Sequence, residues 1–385
     1  MVGRRSSGGS ASGGRIVAGA VLLDLTLGPL FVWGVIVPAL GRELRVAGIG
    51  LALAFSTALA TFTLGVLAGG RAADVAAPGR LALVTALGAV VGLLAAAAAD
   101  TLWTLGLGLA VLGGATGLGY ATALRAAGTV ADRRGLALGL VVSAYAGGTV
   151  AMAPLAGALL QAVGRRGTLV ALAGLVAGCG LGAALLLPWT RPHRGDPGHE
   201  QRSPPRPWPQ GVGWLWLTFA LGSAPALGAF AHAGVIAGSA DRAAAAVALL
   251  SAGNLGGRLI AGPLSDRIGP SASLHGDVAL LTAACSLLAF LGGATSLAGL
   301  LLLGVQYGAL SALVPAATAG IVPAHRYGRT YGLVFTGWGL AGLVAPIAMA
   351  WLEAWGGARL VFAVALGAAL LTWGCVVAFT TRGRR

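Results

Sequence analysis

Splitting the 385-residue chain at its charges, prolines and polar clusters leaves twelve apolar runs. Each is close to the ~20 helical residues needed to cross the ~30 Å hydrocarbon core of a bilayer. The first six fall at residues 16–38, 49–69, 80–99, 102–124, 136–160 and 167–188. The second six fall at 212–235, 243–264, 273–294, 296–321, 330–352 and 358–380. A single long polar stretch, Trp189 to Gln210, separates the two sets. Pro192, Pro197, Pro204, Pro205, Pro207 and Pro209 bar a helix there and mark a linker. The chain therefore divides into a tail (1–15), a first bundle (16–188), a linker (189–211), a second bundle (212–380) and a tail (381–385). Met1 to Arg15, rich in Ser and Gly, lacks the apolar stretch of a signal peptide and is expected to be a short disordered tail.

The two sets share landmarks. Gly70-Arg71-Ala72-Ala73-Asp74, closed by Gly79-Arg80, recurs as Gly262-Pro263-Leu264-Ser265-Asp266-Arg267-Ile268-Gly269, with Asp74 and Asp266 192 residues apart. Ala153-Pro154 and Ala345-Pro346 keep the same offset, each mid-way along an apolar run. Two landmarks at one spacing argue for a duplicated unit. The prolines remove backbone donors mid-span and mark bends at which helices can rock.

Composition agrees with a membrane solvent. Charged residues make up 9% of the chain, apolar ones 57%, and the mean hydropathy is +0.86, against roughly 25% charged in a soluble domain. The net charge of +14 is spread singly or in pairs between apolar runs, so no continuous patch exists for nucleic acid. Cys179, Cys285 and Cys375 lie far apart within apolar runs; they read as small core residues, with neither a metal spacing nor a disulfide framework. All 25 basic residues are Arg, and with the N-terminus inside, nineteen fall on the cytoplasmic side and six (Arg42, Arg45, Arg165, Arg166, Arg242 and Arg359) outside. That bias predicts both termini in the cytoplasm. The 65 glycines suit helices that must approach closely, because lipid gives them no hydrophobic reason to associate.

Ionisable groups inside a bilayer cost at least about 2.5–3.5 kcal/mol on insertion scales, so each needs a reason. Arg258, in the eighth run, and Asp24, in the first, lie at similar depth in opposite halves. A guanidinium stays charged when desolvated and offers a planar fork to a carboxylate, which makes Arg258 a substrate anchor. Its alternative is snorkelling to the headgroups or pairing with the Asp266 turn. Asp24 is a candidate proton site, since burial favours the neutral acid and a nearby cation the charged one. It also reads as a cap at the start of the first span, or as a static partner of Arg258; an Asp24–Arg258 bridge broken by substrate would combine both roles. Phe31, Trp33, Tyr120, Asn254, Gln306, Tyr307 and Trp338 are candidate cavity residues, whereas Arg125, His232 and His275 are expected at the interfaces. In the charged turns, Gly70, Asp74 and Arg80 with Gly262, Asp266 and Arg267 form a candidate gate, in which the acids accept from helix N-termini or Arg of the inner loops.

Twelve spans, a central linker and the Gly-x-x-x-Asp turn after spans 2 and 8 resemble the major facilitator superfamily, with Pro78 as an extra residue in the first turn. Four stretches are similar to the oxalate/formate antiporters and their relatives, the monocarboxylate transporters. They are Gly28-Pro29-Leu30-Phe31-Val32-Trp33, Arg134-Gly135-Leu136-Ala137-Leu138-Gly139, Asn254-Leu255-Gly256-Gly257-Arg258, and Tyr331 through Gly339. Two departures bear on substrate. Trp338 stands where oxalate carriers of that family have a Lys, leaving a dianion one fixed cation, and Asn254 stands where animal monocarboxylate transporters have an Asp.

The resemblance implies an all-α integral membrane protein: twelve transmembrane helices in two six-helix bundles related by pseudo-two-fold symmetry, around one central site. The implied activity is secondary transport of a small organic anion, a monocarboxylate, across the plasma membrane (a bacterial inner membrane) by proton symport or anion exchange. A monomer without cofactor or metal is expected. An exporter of hydrophobic or cationic compounds, with Asp24 attracting the cation, is the alternative on the same fold. A membrane enzyme is disfavoured, because Glu43, Asp100, Asp241 and Glu353 are scattered over short outer loops and form no catalytic cluster.

Overall fold

The computed structural model describes residues 8–46, 48–130, 134–190, 211–238, 242–291, 295–322 and 324–382. Among them the regular structure is helical throughout. The N-terminal half carries α1 (Gly8–Leu25), α2 (Gly28–Phe31), α3 (Trp33–Leu44), α4 (Gly48–Val75), α5 (Pro78–Ala98), α6 (Leu102–Gly128) and α7 (Arg134–Leu186). The C-terminal half carries α8 (Gly211–Ile236), α9 (Ala243–Ile268), α10 (Pro270–Phe290), α11 (Thr295–Ile321) and α12 (Ala324–Arg382). Ten helical segments of the described residues, 21 to 52 residues long, are long and apolar enough to cross a membrane. A helix closes its backbone hydrogen bonds within itself, which is what a lipid solvent demands.

Local chemistry sets the breaks. α1 stops one residue after Asp24, and Pro29 lies at the start of the short α2 that follows, so the first span is interrupted at mid-depth. Pro78 and Pro270 open α5 and α10, where their missing N–H costs nothing. Thr101 and Thr104 form a reciprocal capping box at the start of α6. At ~1.5 Å per residue, the 53-residue α7 would be about 80 Å long if straight. It is not straight. Gly164 adopts φ 68°, ψ −176°, open only to glycine, and the chain turns back on itself. Gly148 and Gly182 accordingly lie against the neighbouring residues Leu25 and Leu22 of one helix, α1. α12 turns back likewise at Gly356 and Gly357 (φ 67°, ψ −173°), which brings Gly337 against Trp216 and Phe379 against Gly211. α5 and α10, each 21 residues, begin 192 positions apart, the offset of the charged turns.

Residues 8–15, expected to belong to a disordered tail, are helical. Helix α1 begins at Gly8, and Arg15 donates from Nε and Nη2 to the carbonyls of Leu186 and Leu185 at 3.1 and 2.9 Å. Those are last-turn carbonyls of α7, left without intrahelical partners, and a guanidinium satisfies two at once. This end of the bundle, where both halves meet the 189–211 segment, is called the linker end below. Residues 191–210 lie outside the described set.

At the opposite end the Arg165 side chain is almost fully buried. It donates to Glu43 Oε2 at 2.6 Å and to the carbonyls of Ala96, Ala97 and Ala99, so one guanidinium closes the C-terminus of α5 and ties it to α3. The acids there are partnered: Asp100 takes Arg166 at 2.6 Å and Glu353 takes His232.

Candidate functional site

The site begins with the crossing of α9 and α11. A Cβ on Gly308 would collide with the carbonyl of Asn254, so only glycine lets the backbones approach this closely, and the α9 turn carrying Asn254 and Arg258 is held by main-chain contact. Asn254 and Arg258 are one turn apart on one face, and Arg258 Nε donates to Asn254 Oδ1 at 3.0 Å. From the other half, the Tyr145 hydroxyl accepts from Arg258 Nη2 at 2.6 Å and from Asn254 Nδ2 at 3.0 Å. The guanidinium carbon also lies 4.8 Å from the Tyr145 ring centroid, within cation–π range. Tyr145 is therefore the polar tie between the halves at this level.

The expected Asp24–Arg258 bridge is absent. Asp24 is fully buried beside the break in the first span, and neither carboxylate oxygen has a hydrogen-bond partner among the described residues. Arg258 is within electrostatic reach. The guanidinium donates instead to the Tyr145 hydroxyl, at 2.6 Å. Asp24 is thus a buried acid beside an Arg-centred network of which it is not a bonded member.

Arg258 opens into a central cavity of about 20 Å³, against the ~10–15 Å³ that one water needs. The halves are closed around it. Its walls are aromatic: Phe31, Tyr120, Tyr307 and Trp338, together with Phe62, Tyr145, Phe219, Tyr331 and Phe335. Phe62 of the first half lies 5.4 Å from Trp338 of the second, ring to ring, and Tyr120 stacks at 6.4 Å on Phe335. Trp338 Nε1 donates to the Tyr307 hydroxyl at 2.8 Å, fixing both rings. Arg258 is the one charged side chain in this wall, and its Nη1 has no hydrogen-bond partner among the described residues.

Three expected cavity residues lie elsewhere. Trp33 stacks on Phe55 at 6.1 Å and 4°, and lines a second cavity of about 280 Å³ towards the opposite end. Gln306, one residue before Tyr307, points away from the cavity by the ~100° helical step and donates to Asp277 Oδ2 at 2.9 Å. Asn254 is fully buried and holds Arg258 without lining the cavity. His232, expected at the interface, is 6% exposed, at a kink in α8; Nδ1 lies 3.2 Å from Glu353 Oε2 and Nε2 3.1 Å from the Pro346 carbonyl. An apolar environment makes that paired arrangement the stable one. His275 lies beside the Trp373 ring on α12.

The charged turns sit at the linker end. Gly262, Asp266 and Arg267 are exposed, as are Gly70 and Arg80. The Asp74 side chain and residues 131–133 and 323 of the adjoining turns lie outside the described set. Cys285 and Cys375 are buried and Cys179 partly so, all three unbridged.

Two functional candidates were missed. Tyr145 is one of only five tyrosines and stands alone among small residues in its run, a signal available from the sequence. Asp277 is a second acid within an apolar span, and the rule that singled out Asp24 applies to it equally.

The family model for the Major Facilitator Superfamily matches residues 25–305 and 225–385. A Thermoproteus tenax protein described as an uncharacterized 38 kDa protein in a 23S RNA operon is 28% identical over 364 residues, covering 91% of each chain. Among solved structures, two of the nucleoside transporter NupG match, a point mutant at a TM-score of 0.74 and a second structure at 0.70. Each is 12% identical, over 96% of this chain and 99% of that one. That likeness shows a shared fold. With apolar helices from end to end and a family match across nearly its whole length, this chain belongs to the Major Facilitator Superfamily: it is a multi-pass membrane transporter and not an enzyme.

Proposed function

We propose that the protein carries a small organic anion, a monocarboxylate, across the plasma membrane by alternating access. The observation that carries this reading is Arg258: the one charge in the cavity wall, pre-oriented by Tyr145 and Asn254, with Nη1 unpartnered among the described residues. A carboxylate accepting from Nη1 and competing with the Tyr145 hydroxyl for Nη2 would loosen the tie between the halves on binding. Aromatic walls supply the apolar contact for the rest of the substrate. Counting α7 and α12 twice, at their glycine reversals, gives twelve crossings in two six-helix bundles related by a pseudo-two-fold axis. The Arg distribution puts the linker end, both termini and the charged turns in the cytoplasm, with Asp74 and Asp266 as gates. Buried and unbonded, Asp24 is the candidate proton site for symport; without it the same cavity supports exchange.

A second reading has one observation in its favour. The aromatic walls, with Phe335 stacked on both Tyr120 and Trp338, suit a planar neutral ring, and the structurally similar NupG is a nucleoside transporter. Export of cations has less support, because Asp24 does not line the cavity. Uptake of labelled lactate, pyruvate, formate, oxalate and a nucleoside into proteoliposomes separates the readings. Saturable uptake of a monocarboxylic acid supports the first, and nucleoside uptake with no acid uptake replaces it.

A further inference from the structure

Asp277 of α10 and Gln306 of α11 are 4% and 0% exposed, deep in the C-terminal half and off the central cavity. Gln306 Nε2 donates to Asp277 Oδ2 at 2.9 Å. The other oxygen of each side chain, Asp277 Oδ1 and Gln306 Oε1, is buried without a hydrogen-bond partner. Both are acceptors, so neither relieves the other, and each carries the desolvation penalty of an unmet buried acceptor. One proton resolves both. Placed on Oδ1, it makes the acid a donor to Oε1 while Nε2 continues to donate to Oδ2, which closes a cyclic acid–amide pair.

We propose that Asp277 and Gln306 form a proton-binding site inside the C-terminal half, separate from Asp24 and linked to the central cavity through α11. The link is one residue long: Gln306 faces Asp277, while Tyr307 faces the cavity and is held by Trp338. A solute that displaces Tyr307 turns the same helical segment that holds the acid. Glycine at 222 lets α8 pack closely on this pair: an added Cβ would stand 2.8 Å from Leu310 Cδ2, 3.5 Å from the Thr372 methyl of α12 and 3.9 Å from Gln306 Nε2.

Among the described residues, the charged side chains and histidines of the packed helices make no hydrogen bond or ion pair to Asp277, and the thiols of Cys285 on α10 and Cys375 on α12 are buried and unbridged. On α8 and α12, His232 and Glu353 pair with each other, and Arg359 lines a separate cavity. On α9, Arg258 pairs with Tyr145, Arg242 is exposed, and Asp266 and Arg267 are exposed at the linker end. On α10 itself, His275 lies beside Trp373. Among these groups no cation competes with the proton. The site does not depend on which solute is carried.

Infrared spectroscopy of the purified full-length protein in nanodiscs, in H2O and D2O at neutral pH, tests it. The expected result is a deuterium-sensitive carbonyl band of a protonated carboxylic acid, present in Asp24→Asn, where the other buried acid is removed, and lost when the isosteric Asp277→Asn is added to it. Trp338→Phe, which frees Tyr307, is expected to shift the pH at which the band disappears. Absence of the band from Asp24→Asn overturns the proposal, as does its persistence in the Asp24→Asn/Asp277→Asn double variant. Sodium-dependent thermal stabilisation without the band also overturns it, because a metal cation would then fill the site.

Discussion

Replacing Tyr145 with Phe removes one oxygen and leaves the ring, and with it the 4.8 Å cation–π contact to Arg258. Two donors lose their acceptor: Arg258 Nη2, at 2.6 Å, and Asn254 Nδ2, at 3.0 Å. A hydrogen bond involving a charge contributes about 1.5–3 kcal/mol and a neutral one about 0.5–1.5, so the change should weaken the tie by about 2–4 kcal/mol. Because α7 and α9 belong to different halves, the loss falls on the closed arrangement and not on either half alone. At about 1.4 kcal/mol per tenfold, the population ratio should shift roughly 30- to 700-fold towards opening at the linker end. Spin-label pairs placed across the halves at each end would report this as a longer distance at the linker end alone. A double-mutant cycle with Asn254→Ala should show coupling of about 0.5–3 kcal/mol. Unchanged distances, or additive effects, would mean that Tyr145 does not tie the halves together.

Other perturbations separate further parts of the account. Arg165→Ala removes the ion pair to the half-exposed Glu43 and leaves three carbonyls without their donor, and should lower stability by about 1–3 kcal/mol, read as the unfolding midpoint in detergent. An effect under about 0.5 kcal/mol would count against a structural role for that cluster. Gly34→Val sets a side chain against the backbone carbonyl of Phe230 in the other half, which cannot yield as a rotamer can; the opposite end should open, increasing thiol labelling of cysteines introduced around Trp33. Trp338→Phe keeps the wall but removes the Nε1 bond to the Tyr307 hydroxyl, at a cost of about 0.5–1.5 kcal/mol. Its signature should be weaker substrate affinity with the closed arrangement preserved.

What was legible in the sequence follows from how membranes constrain a chain. Length and hydropathy locate spans because every backbone group must be satisfied internally, and the breaks expected at 161–166 and 353–357 hold the glycine reversals at Gly164 and Gly357. Helices α5 and α10 begin 192 positions apart, the offset at which the charged turns recur. Which way a side chain faces was less legible. Adjacent residues on one helix diverge by ~100°, so Tyr307 entered the cavity wall while Gln306 left it, and nothing in hydropathy distinguishes them. The Asp24–Arg258 bridge failed for a similar reason: equal depth fixes height in the membrane but not azimuth around the axis, and Arg258 donates to Tyr145 instead. The helical start of the chain was obscured because Arg15 acts on α7 carbonyls 170 and 171 residues away.

The central claim is that Arg258 holds the carboxylate of the carried solute. It is tested most directly by initial uptake rates of the best-transported acid into proteoliposomes, with wild type and Arg258→Lys reconstituted at equal amounts of folded protein. Lysine keeps the charge but not the planar fork, and the account predicts loss of saturable uptake in Arg258→Lys with the fold intact. Uptake equal to wild type, with unchanged affinity for the acid, would contradict it.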